Sequence, residues 1–130
     1  MDTKPWYLKY TDFSAQLSPE DKMIFMRICP EKRYQKGDHI YRLGDPATHL
    51  HVIARGQVKL VNTTPSGQER ILAILGPDDF MGEAFLKEES HYRVDAVALT
   101  DVATCPISRN QFMELALLTP RFVLSFAEIL

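Results

Sequence analysis

The chain has 130 residues, of which 45% are hydrophobic and 25% are charged, so it is large enough for one domain with one core. A net charge of −2 excludes a strong basic field, and this stretch is not expected to bind nucleic acid by itself. Two cysteines cannot form a four-thiolate metal site, and no apolar run approaches the roughly 18 residues of a membrane helix. We therefore expect a cytoplasmic protein without a membrane segment.

The beginning of the chain predicts an arm followed by a short helix. Residues 1–17 are mixed and rich in aromatic side chains, and we interpret them as an N-terminal arm that packs on the domain. Ser18 is a typical helix cap, and Pro19 suits the first helical position. An apolar run follows, and Pro30 ends it. The pattern predicts a helix from Pro19 to Cys29.

The middle of the chain, from Glu31 to Ser108, has the pattern of an antiparallel β structure. All six glycines fall between residues 37 and 82, and short β-rich runs alternate with them. The strands are predicted at residues 39–41, 51–54, 57–61, 69–75, 93–98 and 102–107, with a hairpin loop at residues 64–67. Cys105 is expected to pack on the last of these strands. Short strands with regular turn signals predict a jelly-roll-like β-roll.

Helical patterns return at Ser108. Ser108 and Gln111 form a capping-box sequence, after which Phe112, Leu115 and Leu118 share one helical face. The domain is therefore predicted to span residues 18–118. Residues 119–130 are interpreted as the start of a long dimerisation helix that continues in a longer protein. Its apolar stripe comprises Phe122, Val123, Phe126, Ile129 and Leu130.

A candidate ligand site lies between Pro77 and Ala98. After a turn at the start of this stretch, Gly82 can let a ligand approach the backbone closely. Glu83 can accept hydrogen bonds from a sugar hydroxyl, and Arg93 can hold a phosphate. The alternative interpretation is that Gly82 only makes a turn and that the two charged residues are solvated.

The order of these elements resembles that of the cyclic-nucleotide-binding domain in the CRP/FNR family of bacterial transcription regulators. Four segments carry the resemblance, which covers about Leu17 to Leu130. They are residues 34–45 (YQKGDHIY, then GD at 44–45), 50–60 (LHVIARGQVKL), 76–83 (GPDDFMGE) and 98–102 (ALTDV).

The resemblance implies a mainly β double-stranded β-helix (jelly roll), with one helix before it and two after it. It implies an effector-sensing and dimerisation domain rather than an enzyme, acting as a homodimer through the helix that begins near Pro120. DNA and RNA polymerase would be partners of a C-terminal part that these 130 residues do not contain. Cyclic AMP is the effector that the family suggests.

The candidate site departs from the family pattern after Glu83. Nucleotide-binding members carry an Arg-Ser or Arg-Thr pair that holds the cyclic phosphate. Counting forward from Glu83 puts Arg93 at the arginine position, whereas counting back from Ala98 puts Tyr92 there and Arg93 at the hydroxyl position. On either count Val94 follows the arginine, and valine cannot donate to a phosphate. We expect weak or absent binding of cyclic AMP. The candidate ligand residues are Gly82, Glu83, Ala84, Tyr92, Arg93 and Val94.

Four alternatives remain open at this point. The domain can be a genuine cyclic AMP or cyclic GMP site, a regulatory domain of a eukaryotic-type kinase or channel, or a haem sensor that uses a histidine ligand. The fourth is a metal enzyme of the cupin type, because His49 and His51 would share one face of a strand. No glutamate follows His51 closely, as the cupin motif requires, so we expect no metal site.

Overall fold

The computed structural model of the protein describes residues 18–86 and 90–121. Its helices are α1 (Pro19–Ile28) and α2 (Arg109–Leu118), with a short 3-10 helix at Glu83–Leu86. The strands are β1 (Lys32–Tyr34), β2 (His39–Tyr41), β3 (His49–Arg55), β4 (Val58–Thr63), β5 (Glu69–Leu75), β6 (Phe80–Met81), β7 (Asp95–Ala98) and β8 (Val102–Ser108). Among these described helices, none is long and apolar enough to cross a membrane.

The strands form two four-stranded antiparallel sheets, in the orders β1-β8-β3-β6 and β2-β7-β4-β5. Two buried clusters follow from this arrangement. One lies among the first sheet, α1, α2 and the 3-10 helix, and the other contains residues of both sheets. Phe80 and Met81 show the division, since neighbouring strand residues face opposite sides and these two enter different clusters. The predicted mainly β jelly roll is confirmed.

The helix ends agree closely with the predicted capping signals. The Ser18 side chain accepts a hydrogen bond from the backbone N–H of Asp21, and α1 ends at Ile28 with Cys29 as its C-cap. The capping box at Ser108 and Gln111 is present in full. Of the residues predicted to share one face of α2, Leu115 is completely buried, whereas Leu118, at the end of the helix, is 54% exposed.

The strand predictions were accurate where turn residues border the strands and failed at two short strands. The hairpin between β4 and β5 has its loop at the predicted position. The three-residue β1 and the two-residue β6 were not predicted, because such short segments carry no periodic signal. They are strands because they pair with β8 and β3. The strand predicted at 93–98 begins at Asp95, since the chain bends at residues 93–94.

Two predicted regions fall largely outside the described residues. The arm at residues 1–17 is one of them. The second helix after the β-roll is the other: Pro120 and Arg121 are helical, while the stripe from Phe122 to Leu130 lies beyond the described part.

Candidate functional site

Gly82 occupies a junction that only glycine fits without strain. It follows β6, whose Met81 pairs with His51 of β3, and it precedes the 3-10 helix, where the Phe85 N–H donates to the Gly82 carbonyl at 3.1 Å. The φ angle of Gly82 is +85°. A Cβ atom added there would lie 3.0 Å from the His49 carbonyl oxygen and 3.2 Å from Cε1 of Tyr92. The groups that approach Gly82 closely in this structure belong to the protein, and the approach of a ligand there stays a prediction.

Tyr92 is the side chain that lies against Gly82. It is 5% exposed, and its ring stacks on that of Tyr41 with the centroids 3.9 Å apart. Its hydroxyl donates to the His49 carbonyl at 2.6 Å and accepts from the His49 N–H at 3.1 Å. The backbone of Tyr92 is held as well, since its N–H donates to the Asp45 backbone carbonyl and its own carbonyl accepts from the Gly44 N–H. Both ends of the residue are thus fixed.

Three other predicted site residues differ in exposure. Arg93 is exposed, whereas Ala84 and Val94 are half-buried. Glu83 begins the 3-10 helix directly after Gly82. Tyr92 is therefore the inward residue of the pair and Arg93 the outward one, while the register relative to the family arginine stays a prediction.

The electrostatic environment of the Tyr92 hydroxyl favours its neutral form. Burial raises the pKa of Tyr92, and the negative charge of Asp45 adds to this effect. Hydrogen bonds from His49 and Thr48 act in the opposite direction but do not outweigh burial. Asp45 itself accepts a hydrogen bond from the Arg42 N–H at 3.2 Å. An added negative charge next to this hydroxyl would be disfavoured for the same reasons.

Sequence reasoning missed the parts that Tyr41 and His49 play at this position. Tyr41 supplies the second aromatic ring from β2, and His49 supplies a backbone donor and acceptor from the start of β3. Tyr41 is the buried residue of the short strand β2, and this inward position is the signal that could have identified it. Nothing in the local sequence indicates His49, because its side chain makes none of these contacts.

The paired histidines are each hydrogen-bonded to a threonine hydroxyl. The rings of His49 and His51 have centroids 6.4 Å apart, and Nδ1 of the buried His51 is hydrogen-bonded to the Thr104 hydroxyl at 3.1 Å. Burial lowers the pKa of His51 to about 3, with smaller contributions from His49 and Lys32. Within residues 18–86 and 90–121, no three His, Cys, Asp or Glu side chains are grouped to hold an ion.

The 3-10 helix is in direct contact with α2. The Arg109 guanidinium donates to the Phe85 carbonyl, and the rings of Phe85 and Phe112 meet edge to face with centroids 5.6 Å apart. These two contacts join the segment that follows Gly82 to α2.

Comparison with known proteins agrees with this architecture. Residues 31–117 match the cyclic nucleotide-binding domain family. The "Cyclic AMP receptor protein" of Thermus thermophilus is 32% identical over 114 residues, which cover 88% of this chain and 53% of that protein. Human "cGMP-dependent protein kinase 2" is 31% identical over 112 residues, which cover 80% of this chain and 15% of the kinase.

Among solved structures, the crystal structure of Thermus thermophilus Catabolite Activator Protein superposes with a TM-score of 0.81 at 30% identity. The match covers 90% of this chain and 55% of that one. The chain thus spans about half the length of these bacterial relatives. The chain belongs to the cyclic nucleotide-binding domain family, in the form found in CRP/FNR-type transcription regulators.

Proposed function

We propose that the chain is the sensor domain of a CRP/FNR-type transcription regulator that keeps the nucleotide-binding fold but binds cyclic AMP weakly or not at all. The observation that supports this proposal is the placement of Tyr92 against Gly82 with Arg93 exposed. A phosphate entering at Gly82 would be buried without a guanidinium partner, and burying an unpaired charge is costly.

The test is calorimetric titration of the chain with cyclic AMP and cyclic GMP. We expect no binding at micromolar concentrations. The paired variant Tyr92→Arg with Arg93→Ser puts an Arg-Ser pair in the register of the backward count, with the arginine at the buried position. It should bind cyclic AMP at least about tenfold more tightly than the unaltered chain, the gain typical of a new charge-assisted hydrogen bond.

A true cyclic AMP site is the second candidate, and the 32% identity to the Thermus thermophilus protein named for that ligand favours it. The same titration separates the two candidates. Micromolar binding by the unaltered chain, lost in Arg93→Ala or Glu83→Ala, would contradict our proposal and restore the ordinary site at Gly82, Glu83 and Arg93. The similarity to the kinase covers 15% of that enzyme, so we do not infer kinase activity for this chain from it.

The proposal extends to the partners of the whole regulator. The chain would form a homodimer through the helix that begins near Pro120, while DNA and RNA polymerase would be contacted by residues outside these 130. The regulator would act in the cytoplasm, where its DNA target lies. The net charge of −2 supports this division, because the domain itself offers no excess of positive charge to DNA.

A further inference from the structure

The space beside Gly82 is filled by two aromatic rings. Tyr41 and Tyr92 are 7% and 5% exposed, and they stack with an angle of 16° between their planes. A Cβ atom on Gly82 would meet Cε1 of Tyr92 at 3.2 Å and Cε2 of Tyr41 at 3.6 Å. The glycine thus makes room for these two side chains, and a ligand that approached Gly82 from the side of a Cβ atom would have to displace them.

The hydrogen bonds at the end of the Tyr92 ring specify a hydroxyl group. The His49 backbone presents both a donor, at 3.1 Å, and an acceptor, at 2.6 Å, to the same oxygen. A hydroxyl satisfies both groups because it donates and accepts at once. A phosphate oxygen only accepts, so it would pair with the N–H and face the lone pairs of the carbonyl.

The charges around this position also disfavour an anion. The negative charge of Asp45 raises the pKa of Tyr92. The backbone carbonyl of Asp45 also accepts a hydrogen bond from the Tyr92 N–H. The side chain of Arg93, the next residue in the chain, is exposed. The position beside Gly82 therefore combines an apolar wall, a paired donor and acceptor, and nearby negative charge.

From this geometry we infer that Tyr92 is a built-in occupant of the site, and that the site selects a neutral phenol-like ring instead of a cyclic phosphate. The inference rests on the proposed function and makes it more specific, since it names the residue that replaces the ligand. It also implies that removing the Tyr92 side chain creates a cavity whose preferred occupant is a free phenol.

The experiment uses the variant Tyr92→Ala and three probes: p-cresol, which reproduces the tyrosine side chain, toluene, which lacks the hydroxyl, and cyclic AMP. A ligand that binds only the folded state raises Tm with concentration. We expect p-cresol to raise the Tm of Tyr92→Ala more than toluene does, cyclic AMP to leave it unchanged, and neither aromatic to raise the Tm of the unaltered chain. Arg93→Ala is the matched control, because it truncates the exposed neighbour and should not respond to p-cresol.

The comparison of the three probes can overturn the inference. Equal stabilisation by toluene and p-cresol would show that the hydroxyl contacts do not select the occupant, and stabilisation by cyclic AMP alone would show an anion site behind the ring. If Tyr92→Ala does not fold, Tyr92→Phe keeps the ring and removes both hydrogen bonds. It should lower the folding equilibrium constant about tenfold or more, and an unchanged constant would overturn the inference.

Failure of this inference can be distinguished from failure of the proposed function. Binding of cyclic AMP by the unaltered chain contradicts the proposed function. Absence of a p-cresol effect in folded Tyr92→Ala contradicts only the assignment of Tyr92 as the occupant.

Discussion

At the scale of single residues, Gly82 combines a backbone requirement with a packing requirement. Its φ of +85° favours glycine, and a Cβ atom would press on the His49 carbonyl at 3.0 Å. We expect Gly82→Ala to lose the roughly 1–2 kcal/mol of a left-handed non-glycine residue, plus a further cost for the contact. The free energy of unfolding in urea measures the loss.

Gly67 provides a matched control for that prediction. Its φ is +88°, nearly the same, but an added Cβ would meet no atom within 4 Å. Gly67→Ala should therefore show the backbone cost alone. Equal losses in the two variants would mean that the close approach at Gly82 contributes nothing to stability.

At the scale of elements, α2 is held at its first turn by Gln111 in two ways. Its Oε1 accepts from the Ser108 N–H at 2.8 Å within the capping box, and its Nε2 donates to the Ile28 carbonyl of α1 at 3.0 Å. Ser108→Ala removes the cap and should cost about 1 kcal/mol. Gln111→Ala removes both hydrogen bonds. We therefore expect it to lower the free energy of unfolding in urea by more than Ser108→Ala does.

The substitution Gln111→Glu separates the two functions. A glutamate keeps the acceptor of the capping box but cannot donate to the Ile28 carbonyl. Its stability should fall below that of the unaltered chain, and Asn110→Ala, at an exposed position of the same helix, should change little. If Gln111→Glu is as stable as the unaltered chain, the bond between α2 and α1 does not stabilise the domain.

At the scale of the whole molecule, the buried His51 makes stability depend on pH. Its folded pKa is about 3, below the ordinary histidine value of 6.5, so the unfolded state binds more protons between these values. The neutral form supports the fold fully above pH 6.5, and this support is lost progressively as pH falls towards 3. The slope approaches about 1.4 kcal/mol per pH unit within that window.

Urea unfolding between pH 4 and 7 tests this expectation. His51→Asn carries no titrating ring, so its stability should fall less steeply with acid than that of the unaltered chain. The variant retains His49, whose pKa is also lowered by burial, and therefore isolates the contribution of His51. His91→Asn at an exposed position should follow the unaltered chain. Parallel curves for His51→Asn and the unaltered chain would contradict the assignment.

Self-association is the second prediction at this scale. If the stripe from Phe122 to Leu130 forms the dimer, Phe126→Asp with Ile129→Asp should produce a monomer in sedimentation experiments, because two carboxylates cannot be buried between apolar helices. Leu117→Asp, at an 84% exposed position on α2, is the control and should leave the dimer intact. A dimer that persists in the double variant would place the interface elsewhere.

The sequence by itself determined the features that depend on short-range signals. The caps at Ser18 and Ser108 located the helix starts, because a capping side chain bonds to backbone groups only three residues away. Turn residues separated the strands, and the order of elements was enough to predict the jelly roll and the family.

Only the tertiary structure decided which neighbour of the pair Tyr92 and Arg93 faces Gly82. The two counts differ by one residue, and in extended chain one residue reverses the side that a side chain faces. The bend at residues 93–94, the bonds from Tyr92 to the start of β3 and the stack on Tyr41 of the other sheet settle this choice. These contacts join segments more than forty residues apart, so no local pattern contains them.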